Sequence, residues 1–270
     1  MIIIIIIEKL EYTLISGREN FMKRVLFAGV VFISSAFISN NVLAEDSGVE
    51  EILVKGKVLQ SDQMNALKIP TPIINVPQSL SIVTDEDVRK KGFKELGDIV
   101  KYTPGINTSL GEGHRDAVVF RGVRSTADFF QDGVRDDVQY YRPLYNVEQV
   151  EVLRGPNALL FGRGGTGGVI NRVSKKPVSG KEFKTVDLGY DSFGASDIAV
   201  DVNTNLSDSV AFRLNVHNDS LKNHRDFYNG ERFGINPTLS VALDEDTDLN
   251  LSYEYIDHER FIDRGIPTAN

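Results

Sequence analysis

The side chains most often used for catalysis and metal binding are sparse in this chain. It contains no Cys, so a Cys-based zinc site, a disulfide framework and a thiol nucleophile are excluded. The four His residues show none of the spacings of a metal site or a hydrolase. They are His114, His217, His224 and His258. These residue types point away from an enzyme.

Two stretches imitate ligand-binding loops without completing them. Gly162–Gly168 is glycine-rich like a phosphate-binding loop, but it lacks the Lys-Ser/Thr pair of a P-loop and the strand and long helix of a Rossmann unit. The alternating acids of Asp244–Asn250 imitate a calcium loop, yet Leu249 stands where glycine is required. We therefore expect tight turns at the first stretch and a solvated hairpin turn at the second.

Composition narrows the class of protein. Apolar residues make up 41% of the chain and charged residues 25%, so a packed core is expected and not general disorder. The net charge of −8 argues against a nucleic-acid partner, which would require a basic surface to neutralise phosphates.

The N-terminal residues have the pattern of an export signal. Met22-Lys23-Arg24 is basic, Val25–Ile38 is apolar, and Ala44 precedes a predicted cleavage site, so residues 22–44 are interpreted as a signal peptide. The alternative, a transmembrane anchor, needs about 20 apolar residues, and this run is shorter. Residues 1–21 are interpreted as an untranslated upstream extension, because codons for Gly17–Glu19 can spell a ribosome-binding site just before Met22.

After a polar, flexible segment at 45–57, residues 58–177 mix short strands and helices. Leu80–Val83 is a predicted strand, and Thr84 is a predicted N-cap of a helix that stops at Gly92. A second helix is expected over Phe93–Tyr102. Further signals are a β-prone run at Ala117–Arg121, a hairpin-type turn at Asp132-Gly133 and alternation over Val147–Leu153. This region is predicted to be a small α+β domain.

Residues 178–270 switch to a period of two. Five successive strands of about ten residues have one apolar and one polar face, which favours a transmembrane β-barrel. A soluble antiparallel sandwich also alternates and is the open alternative. The connection Asp219–Glu231 is expected to be a long polar loop, whereas Ser207-Asp208 and Asp244–Thr247 are tight. That asymmetry is typical of outer-membrane barrels. Five strands cannot close a barrel, so the chain is interpreted as the front portion of a longer protein or of an interrupted gene.

The motifs of residues 50–177 resemble a known family in order and spacing. They are Val119–Arg124, Gln131–Arg135, Val150–Pro156, Leu159–Asn171 and Ser174–Pro177. Together they resemble the plug of TonB-dependent siderophore receptors, and the strands after Lys181 resemble the start of that family's barrel.

The resemblance implies a 22-stranded outer-membrane barrel, incomplete here, whose lumen is occluded by the plug. Such a receptor takes up ferric-siderophore complexes and is energised by TonB and its inner-membrane complex. TonB grips a TonB box, for which Glu51, Ile52, Leu53 and Val54 are the candidate because an extended apolar segment can add to a partner's sheet. The resemblance also implies that outer-membrane lipid surrounds the barrel.

The resemblance also implies roles for plug residues. Arg121 and Arg154 stand where similar receptors hold plug arginines against barrel glutamates. Residues that would face the ligand are Arg115, Arg124, Tyr140, Tyr141 and Arg142. Arginine charge and tyrosine faces suit an anionic ferric catecholate, and similar groups would serve a hydroxamate. Iron would arrive already chelated, so no protein cofactor or metal site is expected.

Two other functions are compatible with the sequence. One is a receptor of the same fold that takes another cargo or reports its ligand to a regulator. The second is a broken gene whose truncated product has no function.

Overall fold

The computed structural model describes residues 63–65, 71–76, 78–109, 113–155, 161, 167–244 and 247–265, all within one compact unit, Lys57–Asn270. The upstream extension 1–21, the signal peptide 22–44 and the segment 45–57 with its Glu51–Val54 box lie outside the described residues. Residues 162–166 of the glycine-rich stretch also lie outside them. Those assignments stay predictions.

The first helix begins and ends where its sequence signals predict. Helix α1 is Asp85–Lys91, and the Thr84 hydroxyl accepts a hydrogen bond from the Asp87 backbone N–H at 3.2 Å. The Asp87 carboxylate accepts in return from the Thr84 N–H at 3.4 Å, which completes a capping box. Gly92 then adopts a φ of 66°, a left-handed conformation that ends the helix.

The second helix is shorter than its expected range, Phe93–Tyr102. Helix α2 is Leu96–Lys101, because the carboxylate of Asp98 accepts hydrogen bonds from the backbone N–H groups of Lys94 and Glu95 and holds them outside the helix. Its buried residues are Leu96, Ile99 and Val100.

The region at 63–177, called the plug below, is an α+β domain as predicted. Its strands are β1 (Gln63–Met64), β2 (Thr71–Pro72), β3 (Ser79–Thr84), β4 (Ile106–Thr108), β5 (Val118–Phe120), β6 (Val123–Ser125), β7 (Phe129–Gln131), β8 (Val134–Arg135), β9 (Val147–Arg154) and β10 (Gly168–Ser174). A mixed sheet has the order β3-β9-β10-β7-β8, in which only β10 and β7 are parallel. Strands β4-β5-β6 form a smaller antiparallel sheet, and β1 pairs with β2.

Strand β9 lies between two apolar cores. Val150 and Val152 belong to the cluster that contains the helix residues, whereas Leu153 belongs to a second cluster with Met64 and Phe130. Both faces of β9 are therefore buried, although its sequence alternates like that of a half-exposed strand.

Six strands after the plug form an antiparallel sheet, called the wall below. They are β11 (Phe183–Tyr190), β12 (Ser196–Ser207), β13 (Val210–Lys222), β14 (Asn229–Ala242), β15 (Asp248–Ser252) and β16 (Tyr255–Arg260). Strands β15 and β16 both pair with β14, so they are one strand interrupted at Tyr253 and Glu254. The five predicted strands are present, the last of them broken.

The wall buries its polar face and exposes its apolar face. On β13, Arg213, Asn215 and His217 are at most 5% exposed, whereas Leu188 and Tyr190 of β11 are 76% and 81% exposed. A soluble sandwich would bury the apolar face instead. The polar face lies against the plug, which is the arrangement of a barrel whose lumen is filled and whose outside meets lipid.

The prediction of a long loop over Asp219–Glu231 is wrong. Strands β13 and β14 stay paired from Val210–Val241 to Lys222–Asn229, which leaves residues 223–228 as the connection. Polar side chains such as Asp219 continue the inward face of the wall and do not mark a loop. The connections 191–195 and 223–228 lie at one end of the wall, the loop end, and 208–209 and 243–247 at the other, the turn end.

Among the described residues, no helix is both long and apolar enough to cross a membrane.

Candidate functional site

Ionic contacts join the plug to the turn end of the wall. Arg213 of β13 makes two bonds to the carboxylate of Asp201 on β12, with Nε and Nη2 at 2.8 and 2.7 Å from its oxygens. The same guanidinium reaches the plug, with Nη1 3.4 Å from Glu148 Oε2 and 3.0 Å from the Lys176 carbonyl oxygen. Lys175 of the plug lies 3.1 Å from Asp201 Oδ2. Asp85 lies 3.3 Å from the Lys175 ammonium. The charged residues Asp85, Glu148, Lys175, Asp201 and Arg213 form the turn-end ion cluster.

A second group, the loop-end ion cluster, consists of Glu95, Asp219, Arg232 and Arg260. Asp219 and Arg232 are direct partners across β13 and β14, and Arg232 Nε lies 2.8 Å from Asp219 Oδ2. Arg232 Nη1 also lies 3.2 Å from Oε1 of Glu95 in the plug. Arg260 of β16 donates to the same oxygen, and its guanidinium lies 4.0 Å from the ring centre of Tyr141.

Between the two clusters, an aromatic contact joins plug and wall. The rings of Tyr145 and His217 stack with centroids 4.1 Å apart. Glu254 interrupts the last wall strand because its carboxylate accepts from the Tyr145 hydroxyl at 3.4 Å and from Asn146 Nδ2 at 2.8 Å. Gly234 makes room for the stack, since a Cβ there would lie 2.6 Å from the His217 ring.

Sequence reasoning missed these plug–wall contacts. The expectation was that the plug supplies arginines and the wall supplies acids. In the two ion clusters Arg213, Arg232 and Arg260 of the wall meet Glu148 and Glu95 of the plug. The pair of Lys175 with Asp201 has the expected polarity, a plug cation on a wall acid. The available signal was charge on the polar face of the strands, since Arg213 and Arg232 occupy inward positions that a lipid-facing barrel reserves for the lumen.

Arg121 and Arg154, the predicted latch, lie near each other. Gly105 is between them: a Cβ on that residue would lie 3.5 Å from Arg154 Cδ and 3.9 Å from Arg121 Nε. Arg154 donates to the hydroxyls of Ser79, at 3.0 Å, and Ser81. Burial first and the neighbouring Arg121 second lower the pKa of Arg154. Among the described residues, no carboxylate is paired with either guanidinium by an ion pair or a hydrogen bond.

Of the predicted ligand residues, Arg142 is 1% exposed and is surrounded by plug groups. Its backbone N–H lies 2.9 Å from Asp116 Oδ2, its Nε 2.9 Å from Asp136 Oδ2, and its Nη2 2.7 Å from the Val138 carbonyl. The guanidinium also lies 4.2 Å from the Phe129 ring centre. This geometry makes Arg142 a support for the loop 136–142.

Tyr140 has a similar position. Its hydroxyl lies 3.0 Å from Asp136 Oδ2 and accepts from Arg172 Nη2 at 2.8 Å. Burial raises the pKa of Tyr140. The side chain is therefore tied into the interior of the plug.

The structure brings Arg115 and Tyr141 together at a cavity of about 380 Å³. Glu95, Lys101 and Asp116 also line it. Burial raises the pKa of Asp116 to about 6, against the opposing effect of the Arg142 backbone N–H. Burial likewise raises the pKa of Tyr141. The cavity combines basic, acidic and aromatic groups at the loop end of the plug.

Arg124, the remaining predicted ligand residue, is exposed on β6 opposite Val119 and does not line this cavity. In the part of the chain that the structure describes, no group of three or more His, Asp or Glu side chains is placed to hold a metal ion.

Comparison with known proteins identifies the same plug domain and similar receptors. A family model described as the TonB-dependent receptor plug domain matches residues 72–169. The probable TonB-dependent receptor BfrD of Bordetella pertussis is 30% identical over 213 residues, 77% of this chain and 28% of that protein. The catecholate siderophore receptor Fiu of Escherichia coli K12 is 30% identical over 213 residues, 74% of this chain and 27% of Fiu. The ferrioxamine B receptor of Salmonella typhimurium LT2 is 31% identical over 220 residues, 76% of this chain and 31% of that receptor.

The solved structure of the ferric-catecholate import receptor Fiu from E. coli K12, in its open form, matches with a TM-score of 0.70 at 28% identity. The match covers 76% of this chain and 31% of that chain. This chain therefore spans less than a third of the length of these three relatives. The matches, the plug fold and the wall with its polar face inward together show that the chain belongs to the TonB-dependent receptor family.

Proposed function

We propose that the receptor containing this chain takes up ferric-siderophore complexes across the outer membrane of a Gram-negative cell. The observation that carries the proposal is the inverted wall: its polar face packs on the plug, and its apolar face is free to meet lipid. The remaining strands needed to close such a barrel would come from sequence that the longer relatives have, because unpaired strand edges are costly inside a bilayer.

Energy is proposed to come from TonB and its inner-membrane complex. The outer membrane has no nucleotide supply or ion gradient, so a partner must do the work of moving a plug held by two ion clusters. Glu51–Val54 is the proposed point of attachment, as an extended apolar segment that can add a strand to TonB. No catalytic step is proposed.

The cavity supports an anionic, ring-bearing cargo. Arg115 and Lys101 supply positive charge, and Tyr141 supplies an aromatic face. A ferric catecholate has both properties, and a catecholate receptor is among the relatives. Iron is cargo here, bound within its chelate. Arg124, exposed beside this region, is proposed as a further contact, whereas Tyr140 and Arg142 are proposed to hold the loop that presents Tyr141.

Arg121 and Arg154 are proposed to meet acidic side chains of the remaining barrel. They lie together at the surface of the plug without a carboxylate partner among the residues described. A bidentate arginine contact there would hold the plug in place and could break under tension.

The experiment is iron uptake by cells that express the complete receptor as their sole siderophore receptor. We expect cells to accumulate iron from a ferric tris-catecholate and to lose this accumulation when TonB is deleted, while surface binding at low temperature persists. Accumulation that is unchanged without TonB would refute energised transport. Absence of both binding and uptake would refute this cargo.

A further inference from the structure

Glu95 lies where the loop-end ion cluster meets the cavity. Glu95 lines the cavity, and its Oε1 accepts hydrogen bonds from both Arg232 and Arg260 of the wall. The Glu95 side chain is 23% exposed, whereas Arg232 is 1% and Arg260 is 8% exposed. Glu95 is therefore the solvent-facing counter-ion of two buried guanidinium groups.

The two guanidinium groups need an anion at this position. Asp219 neutralises Arg232 from one side, and Arg260 otherwise contacts the uncharged partners His258 and Tyr228 and the ring of Tyr141. A buried guanidinium without a partner is strongly unfavourable, so Glu95 can leave only if another anion takes its place. Glu95 lines the cavity whereas Arg232 and Arg260 do not, so a ligand in the cavity meets Glu95 first.

Glu95 also connects the plug backbone to the wall. It directly precedes α2, its N–H donates to the Asp98 carboxylate, and it forms a backbone bridge with Pro143. Its neighbour Lys94 is paired with Asp197 of β12. Loss of the Glu95 carboxylate contact would therefore free the start of α2 from β14 and β16.

Building on the proposed function, we propose that Glu95 is an exchangeable counter-ion. An anionic ferric chelate in the cavity displaces the Glu95 carboxylate from Arg232 and Arg260 and takes over its hydrogen bonds. Binding of cargo thereby breaks the contact of Glu95 with β14 and β16, while the pair of Lys94 with Asp197 of β12 stays. The turn-end ion cluster shares no residue with this exchange and stays closed.

The exchange also discriminates between ferric chelates by their negative charge. A ferric tris-catecholate carries negative charge that can replace the Glu95 carboxylate. A ferric trihydroxamate carries none, so Arg232 and Arg260 would keep Glu95. The same cavity would then hold a trihydroxamate without opening the contact.

The test is binding to the complete receptor carrying Glu95→Gln, measured with radioactive iron on de-energised cells. We expect roughly fivefold tighter binding of a ferric tris-catecholate, because no ion pair must be broken on binding. Binding of a ferric trihydroxamate should be no tighter. Glu148→Gln is the matched control, since it removes a carboxylate from the turn-end cluster and should leave both affinities unchanged. Equal or weaker catecholate binding by Glu95→Gln would overturn the proposal.

Hydrogen exchange on the purified wild-type receptor is a second test of the proposal, and it needs no variant. Backbone amides of residues 93–101 should exchange faster once the ferric tris-catecholate is bound. Unchanged or slower exchange there would overturn the exchange mechanism while leaving uptake intact. If the wild-type receptor binds no ferric chelate, the proposed function fails as well, which is a distinct result.

Discussion

Tyr145 of the plug stacks on His217 of the wall, with ring centroids 4.1 Å apart and planes inclined by 23°. The contact exists because Gly234, the direct partner of His217 on β14, has no side chain to occupy the space. Plug and wall are thus fitted to each other by shape as well as by charge.

Gly234→Ala should disturb this stack. The added Cβ would lie 2.6 Å from His217 Cδ2 and 3.0 Å from Tyr145 Cζ, and both rings are confined. We expect about 1–3 kcal/mol lower stability of the plug–wall contact, measured as faster hydrogen exchange at residues 145–147 in the purified receptor. Gly97→Ala is the control, because a Cβ there would meet the Thr108 methyl group at an ordinary van der Waals distance of 3.7 Å. Equal effects of the two substitutions would contradict this reading.

Arg213→Gln should weaken the turn-end ion cluster. The side chain is 6% exposed, and its loss leaves Lys175 as the remaining cation on the buried carboxylate of Asp201 among the described residues. Removing one partner of such a pair costs about 3 kcal/mol, so protease should cut the plug of the purified receptor more readily. Lys90→Gln, which removes an exposed pair with Glu86 on α1, is the comparison. Protease resistance equal to that of the wild type would show that Arg213 does not hold the plug.

Glu151→Gln tests the buried carboxylate beneath the start of the plug. Glu151 is 0% exposed and accepts from the Asn65 backbone N–H, from Gln149 Nε2 at 2.8 Å and from Asn171 Nδ2 at 3.0 Å. A Gln amide would turn an N–H₂ group toward one of these donors, which costs about 1–3 kcal/mol. The amides of Met64 and Asn65 should lose protection from hydrogen exchange first. Retained protection there would mean that Glu151 does not anchor this segment.

Asp116 should make plug stability depend on pH. Because burial raises its folded-state pKa to about 6, above the ordinary value near 4, the folded plug binds this proton more tightly than the unfolded chain. Its contribution is complete below about pH 4 and is lost as the pH rises through about 6. The unfolding free energy of the wild type relative to Asp116→Asn should fall over that window, by up to about 3 kcal/mol. A difference that is flat with pH would contradict this assignment.

The sequence predicted the elements well where one local signal governs them. Thr84 with Asp87 and Gly92 bound α1, and the period of two located the wall strands. The length of β13 and β14 was missed because polar residues such as Asp219 and Arg232 look like a loop in sequence. They form a cross-strand ion pair on the inward face.

The site was less predictable, because its contacts join residues far apart in the chain. Glu95 and Arg260 share a hydrogen bond across 165 positions, and no local pattern marks them. Tyr141 and Arg115 do meet at one cavity, since both lie on loops at the same end of the plug. Arg142 was predicted as a ligand contact from its residue type. In the structure its guanidinium is paired with Asp116 and Asp136 inside the plug.

Energised transport through the N-terminal segment is tested most directly by deleting residues 51–54 from the complete receptor and measuring iron uptake beside surface binding. The account predicts that uptake from a ferric tris-catecholate is lost while binding stays at the wild-type level. Deletion of residues 45–48, of equal length on the same segment, should leave both intact. Normal uptake after loss of 51–54 would contradict the account.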